Sequence, residues 1–262
     1  MKEHFANLHL YLYDSDSRKK EKIVMVKKMN EMQLSMRLRT VAEEIPKNTV
    51  VADIGSDHAY LPCYAYLNNM IKGAIAGEVN DGPLKSAVNQ VKRCGITDHI
   101  SVRKGNGLAV IEPNEVEVVI IAGMGGQLIS NILNEGKDKL KGVQRLILQP
   151  NVGSRFVRLW LRQNGWTLIR EQILEEDDKI YEILTAEKGE DKELYKKNEE
   201  AMLLFGPLLL KEKHPAFRKK WAHELENWKR IMKQMEDADE SDTLLERKNN
   251  INKKIQLAEG VL

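Results

Sequence analysis

The stretch TVVADIGSDHAYLP, residues 49–62, changes character at its centre. Its first half is apolar or β-branched, as a buried strand requires, and the run stops at Asp53-Ile54-Gly55 before reopening as a helical pattern. Strand, tight turn and helix in succession form the unit from which parallel sheets are built. A helix N-terminus at this point is expected to leave free N–H groups facing the turn, and Gly55 lets a ligand approach the backbone closely. An ordinary strand-to-helix turn with Asp57 as N-cap would share the spacing.

Charge separates the ligands such a loop could take. A dinucleotide loop carries several glycines that admit a pyrophosphate, whereas here one glycine is flanked by Asp53 and Asp57, which repel phosphate and suit a cation. S-adenosylmethionine, with its ammonium and sulfonium groups, suits this loop better.

Working outward, 262 residues can hold one α/β domain and a smaller appendage. The 42% hydrophobic and 31% charged content fits a soluble globular chain with a core large enough to need no staples. Two cysteines, Cys63 and Cys94, in separate expected helices argue against a disulfide framework and for a reducing, cytosolic setting. No apolar run reaches membrane-spanning length, so no membrane partner is expected. A net charge of +2 permits a nucleic-acid partner without demanding one, so any basic surface must arise by clustering.

Residues 1–30 mix LHLYLY with basic runs and keep no period, and are expected to be a disordered extension. Leu34, Leu38, Val41 and Ile45 form a helical stripe ended by Pro46, placing a helix against the sheet beside the loop. Seven β-rich runs follow, at 49–54, 73–79, 100–104, 116–122, 145–149, 166–174 and 179–186. The first five alternate with helical or glycine-containing connections and read as a doubly wound parallel sheet. The last two are joined by a connection of hairpin length, so the sheet is expected to finish antiparallel. That is the class I, Rossmann-like α/β sheet of methyltransferases, expected over residues 31–189. In 190–262, Trp221, Leu225, Trp228, Met232 and Met235 form a heptad seam, and Leu244, Lys248, Ile251, Ile255 and Ala258 repeat its steps. The pair predicts a C-terminal antiparallel helical hairpin, coiled-coil-like, and hence a monomer.

Chemistry is expected along the carboxyl edge of the sheet. Glu78, 25 residues after Asp53, stands where an adenosine ribose lies in such folds. Asn106, between Gly105 and Gly107, has an amide able to bind an adenine edge and is equally a plain turn signal. Three glycines in Gly123-Met124-Gly125-Gly126 imply close packing against a ligand. Gln149 or Asn151 could hold a target adenine by its exocyclic amine while N1 meets a methyl group, with Asp53, Asp57 or Asp81 favouring the cation formed. Arg155, Arg158 and Arg162 at helical spacing, and Arg218-Lys219-Lys220 beside Trp221, are candidates to track phosphates.

In order, DIGSDHAYLP, AGEV followed by Gly-Pro, GNGL, IAGMGG and LQPN, then a helical hairpin, resemble the TrmK family of bacterial tRNA (adenine(22)-N1)-methyltransferases over residues 32–258. The resemblance implies S-adenosylmethionine as donor and N1 of adenine 22 in tRNA as acceptor. It places Asp53, Gly55 and Asp57 around the methionine part, Glu78 on the ribose, Asn106 near adenine and Gly123 to Gly125 along the donor. Ser56, His58, Val79, Gly107 and Met124, which lie in the same motifs, complete the expected donor contacts. LQPN carries no aromatic residue, so stacking on the target base is expected from Tyr60, His58 or the first helix. A methyltransferase acting on another RNA or a small molecule, and a non-catalytic module binding donor and RNA, are the alternative readings.

Overall fold

The computed structural model describes residues 33–190, 193–235 and 241–262. The expected N-terminal extension lies outside the described residues. The chain opens with α1 (Met36–Glu43), started by Ser35, whose side chain accepts the N–H of Leu38. It then alternates β1 (Thr49–Ile54), α2 (Tyr60–Leu67), β2 (Ile71–Glu78), α3 (Asp81–Arg93), β3 (Ile100–Lys104), β4 (Val118–Gly125), α4 (Gly126–Glu135), β5 (Arg145–Val152) and α5 (Ser154–Gln163). The hairpin β6 (Trp166–Glu176) and β7 (Lys179–Lys188) closes the sheet.

The strand order is β3-β2-β1-β4-β5-β7-β6, with β1 to β5 parallel and β7 antiparallel to both its neighbours. The last strand in sequence is therefore not an edge strand: β7 inserts between β5 and β6. Two strands also run further than their β-rich cores. β4 carries on through Gly123-Met124-Gly125, and β5 through Pro150 to Val152, with Met124 paired to Pro150. The register slips on either side of Met124, a bulged end that a proline tolerates.

Alternation along the inner strands divides the core between two faces. Ala52, Ile54, Val119, Ile121, Leu146 and Leu148 pack with α4 and α5, while Val51, Ala74, Val118, Ile120 and Ile147 pack with α1, α2 and α3. Each such valine, leucine or isoleucine, fully buried, contributes about 1.5–3 kcal/mol.

After the sheet come α6 (Glu199–Phe205), α7 (Leu209–Glu212), α8 (Pro215–Gln234) and α9 (Asp242–Glu259). The two heptad stripes meet as the spacing predicts: Trp221, Trp228, Met235, Ile251 and Ala258 are buried in one cluster with Leu225, Met232, Leu244 and Ile255 beside them. Lys213 Nζ and Arg218 Nη1 reach the carbonyls of Val261 and Leu262, so the two helices run antiparallel. Ile173 of β6 joins this cluster and Leu203 of α6 joins the sheet's core, so the helical region is seated on the hairpin edge.

Candidate active site

β1 pairs with β2 on one side and β4 on the other, and the connections leaving their carboxyl ends diverge, which opens a crevice between them. The β1–α2 loop forms one wall. Gly55 and Ser56 donate their N–H groups to Gly77 O at 2.9 and 3.2 Å, and Asp57 N–H donates to Glu78 Oε1 at 2.7 Å. Three N–H groups of the loop, those of Gly55, Ser56 and Asp57, are thus spent within the fold, and the two aspartates beside them disfavour a phosphate. Asp57, His58 and Ala59 follow with φ of 31°, 64° and 54°, three left-handed residues in succession. Each costs about 1–3 kcal/mol outside glycine. No side chain caps α2, so Asp57 is not its N-cap; the carboxylate stays exposed, 3.5 Å from His58 Nε2. Gly55 has φ +71°, and a Cβ there would stand 2.3 Å from Met124 Cε, which is how closely the loop meets β4.

Asp53, at the end of β1, is 4% exposed, and its Oδ2 accepts a hydrogen bond from Ser56 Oγ at 2.5 Å. Burial pushes its pKa up to about 7; the Ser56 hydrogen bond opposes the rise, and the charges of Glu78 and Asp57 add to it.

The facing wall is a chain of amides. Gln149 Oε1 accepts from Gly123 N–H at 3.0 Å and from Arg37 Nη1, Gln149 Nε2 donates to Asn151 Oδ1 at 3.2 Å, and Asn151 Nδ2 donates to Gly123 O at 2.7 Å. Both ends of the chain are backbone groups of Gly123 whose polarity is fixed, so neither amide can turn over without losing a partner. Gln149 is fully buried and its amide is committed, so it holds Asn151 in place and does not itself meet a base. Asn151 is exposed and keeps acceptor capacity on Oδ1. Arg37 lies with its guanidinium carbon 5.3 Å from the Tyr181 ring centroid.

Between these walls is a pocket of about 330 Å³, within the size range of small-molecule sites, lined by Asp53, Gly55, Ser56, Asp57, Gly123, Met124 and Asn151 among the expected residues. Arg37, Leu38, Tyr60 and Tyr181 also line it. Glu78 is buried at the end of β2, with one oxygen spent on the loop; Val79 and Asn106 are exposed, and none of these three lines the pocket. His58 and Gly125 stand outside it as well. A Cβ on Gly107 would meet Ile132 Cγ2 at 3.0 Å, so that glycine also serves packing against α4. Asp81 is held by Lys104 at 2.6 Å.

A second, larger space of about 1050 Å³ lies between the β5–α5 turn and the helices α8 and α9, and Asn151 lines both. Of the cations expected to track phosphates, Arg155, Lys219 and Lys220 line this cleft, joined by Lys253, Lys254 and His223. Lys219 is paired with Glu175 and Lys220 with Glu182. Three other expected cations are elsewhere. Arg162 is paired with Glu199 beside the Tyr195 ring, and Arg218 reaches the carbonyl of Leu262. Arg158 is fully buried: Nε meets Glu171 at 2.6 Å, Nη2 meets Glu182 at 2.5 Å, and Nη1 reaches the carbonyls of Leu203 and Leu204. Its guanidinium is committed to these partners and cannot track phosphates.

The chain is similar to known proteins over most of its length. Residues 51–260 match the TrmK family, described as tRNA (adenine(22)-N(1))-methyltransferase. The chain is 49% identical over 235 residues, 89% of its length and 99% of the relative's, to the tRNA (adenine(22)-N(1))-methyltransferase of Bacillus subtilis. The crystal structure of the B. subtilis M1A22 tRNA methyltransferase TrmK superposes with a TM-score of 0.85 at 48% identity, covering 88% of this chain and 99% of that one. Sp1610 of Streptococcus pneumoniae in complex with S-adenosyl-L-methionine gives 0.78 at 41% identity, covering 88% and 100%. M. capricolum TrmK with S-adenosyl-homocysteine gives 0.74 at 30%, covering 87% and 99%.

Proposed function

The chain belongs to the TrmK family of tRNA (adenine(22)-N(1))-methyltransferases, and on that premise we infer that it transfers a methyl group from S-adenosylmethionine to N1 of adenine 22 in tRNA. The donor fits the crevice by its chemistry. Asp53 and Asp57 offer acceptors to a cationic amino-acid end and repel a phosphate, and Glu78 keeps an oxygen for a ribose. When bound, the donor supplies a methyl group on a positively charged sulfur.

The chain's own residues position the acceptor. Asn151 Oδ1 accepts a hydrogen bond from the adenine N6 amine, which turns N1 toward the pocket; Gln149 and the backbone of Gly123 hold that amide in place. N1 carries a lone pair and needs no base to attack, but methylation leaves a cation, which an ionised Asp53 favours electrostatically. Ser56 and Met124 shape the donor side, and Val79, Asn106 and Gly107 stand along its adenosine end. Residues 31–189 carry this chemistry, and 190–262 present the tRNA to it, with Arg155 and Lys219 on the cleft wall. The stripes of α8 and α9 cover each other, which favours a monomer, and a tRNA substrate places the work in the cytoplasm.

The single observation that carries this reading is Asn151, a fixed amide on the border between a carboxylate-lined pocket and an open cleft. Labelled methyl incorporation into an unmodified tRNA transcript with adenine at position 22, beside one with guanine there, tests it. Label in the first alone, recovered as 1-methyladenosine, is expected. Equal label in both would move the site elsewhere on tRNA.

A further inference from the structure

The border at Asn151 has an apolar lip that no role so far uses. Val152 is 71% exposed and Phe156 41% exposed, at the end of β5 and in the first turn of α5. Gly153 between them has φ +74°, and a Cβ there would come 3.2 Å from the Phe156 ring, so the turn and the ring fit one another. An exposed phenylalanine gains nothing from water, and among the described residues nothing covers the outer part of this ring.

Which partner is set by where the ring stands. Asn151 lines both spaces, Tyr181 lines only the inner pocket, and Phe156 lines only the outer cleft. A base that enters the inner pocket meets Asn151 and Tyr181; what remains in the cleft is the tRNA that the base has left. Extruding an adenine from a folded tRNA exposes the faces of the bases beside it, at a cost of a few kcal/mol. The cleft wall also carries Arg155, one residue from the ring, to meet the backbone of the same segment.

We propose that Phe156, with Val152 beside it, stacks on a nucleobase flanking the target adenine and holds the gap open while the adenine is in the pocket. This rests on the tRNA reading above. Phe156 is then a positioning residue for the tRNA and leaves donor binding alone.

A cycle of substitutions on both molecules tests it. Phe156→Ala is expected to lower kcat/KM for folded tRNA about tenfold or more, the scale of one base–aromatic stack, with S-adenosylmethionine affinity and melting temperature unchanged. Phe156→Trp should restore the rate. A tRNA with an abasic residue on one side of the target should lose a similar factor with the wild-type enzyme and lose little more with Phe156→Ala. A second readout needs no rate: 2-aminopurine at that flanking position should be quenched on binding the wild-type protein and not on binding Phe156→Leu. Losses that multiply for abasic residues on both sides, or an unchanged rate in Phe156→Ala, would overturn the proposal. Absence of methylation by the wild-type enzyme would instead overturn the activity itself.

Discussion

Two buried carboxylates, Asp53 in the donor crevice and Glu182 at the seat of the helical region, are almost equally hidden from water, at 4% and 1% exposed, and behave in opposite ways. Burial pushes Asp53 up to about 7, because its near neighbours are a serine hydroxyl and two further carboxylates. Burial acts on Glu182 in the same direction, but Lys220 and Arg158 outweigh it and hold its carboxyl down at about 2. One site satisfies its charges from within the chain; at the other, Asp53 forms no ion pair among the described residues. Ligand sites are where a fold tolerates that imbalance, since the missing charge arrives with the ligand. On the proposed reading of the crevice, the donor's ammonium and sulfonium supply it.

The self-satisfied site should break hardest when one partner is removed. Arg158 serves Glu171 and Glu182 together, and Glu171 in turn accepts the N–H groups of Leu208 and Leu209 at the start of α7. Gly206, with φ +93°, leaves room for this cluster; a Cβ there would stand 2.6 Å from Arg158 Nη2. Arg158→Met leaves two buried carboxylates without the guanidinium and is expected to cost about 3–5 kcal/mol of folding stability, read from urea unfolding. Donor affinity of the folded fraction should stay as it was. An unchanged urea midpoint would mean that water reaches the cluster.

The unsatisfied site should show the reverse. Asp53→Asn removes a charge that the donor-free protein gains nothing from keeping, so stability at pH 8 is expected to hold or rise. The affinity for S-adenosylmethionine, measured by titration calorimetry, should fall about ten- to a hundredfold, the worth of one charged hydrogen bond. A variant that lost stability and kept its affinity would reverse the assignment of the two carboxylates.

The sheet could be read from sequence because seven β-rich runs with intervening turns are local patterns, and the hairpin because its two heptad stripes are. The β1–α2 loop was legible for the same reason, since Asp53, Gly55 and Asp57 lie within five residues. What escaped depends on partners far apart in sequence. Arg158 shares helical spacing with Arg155 and Arg162, yet its partners come from the β6–β7 hairpin, 13 and 24 residues on, and nothing local marks which arginine turns inward. Gln149 and Asn151 sit two apart on one strand; only the bulged end of β4 commits the first to Gly123 and leaves the second exposed. Arg37 was legible as part of a packing helix but not as a pocket residue, because Gln149 and Tyr181, which hold it, come from β5 and β7.

Proton linkage gives the finest test of the contrast. Asp53 moves from 3.8 unfolded to about 7 folded, so between those values the folded protein holds a proton that the unfolded chain has released. Its contribution to stability is therefore full below 3.8 and is lost as pH rises through about 7. Glu182 moves from 4.5 down to about 2, so its contribution is present above 4.5 and lost as pH falls through 2. A cationic donor binds the ionised form of Asp53 and must displace that proton when the pH is below 7. Affinity for S-adenosylmethionine should thus fall up to about tenfold for each pH unit below 7 and level off above it. Calorimetry in buffers of different ionisation enthalpy should register close to one proton released at pH 6 and almost none at pH 8, and Asp53→Asn should abolish the difference. A flat profile in the wild-type protein would mean that Asp53 is already ionised without the donor, and the contrast with Glu182 would then be one of partners alone.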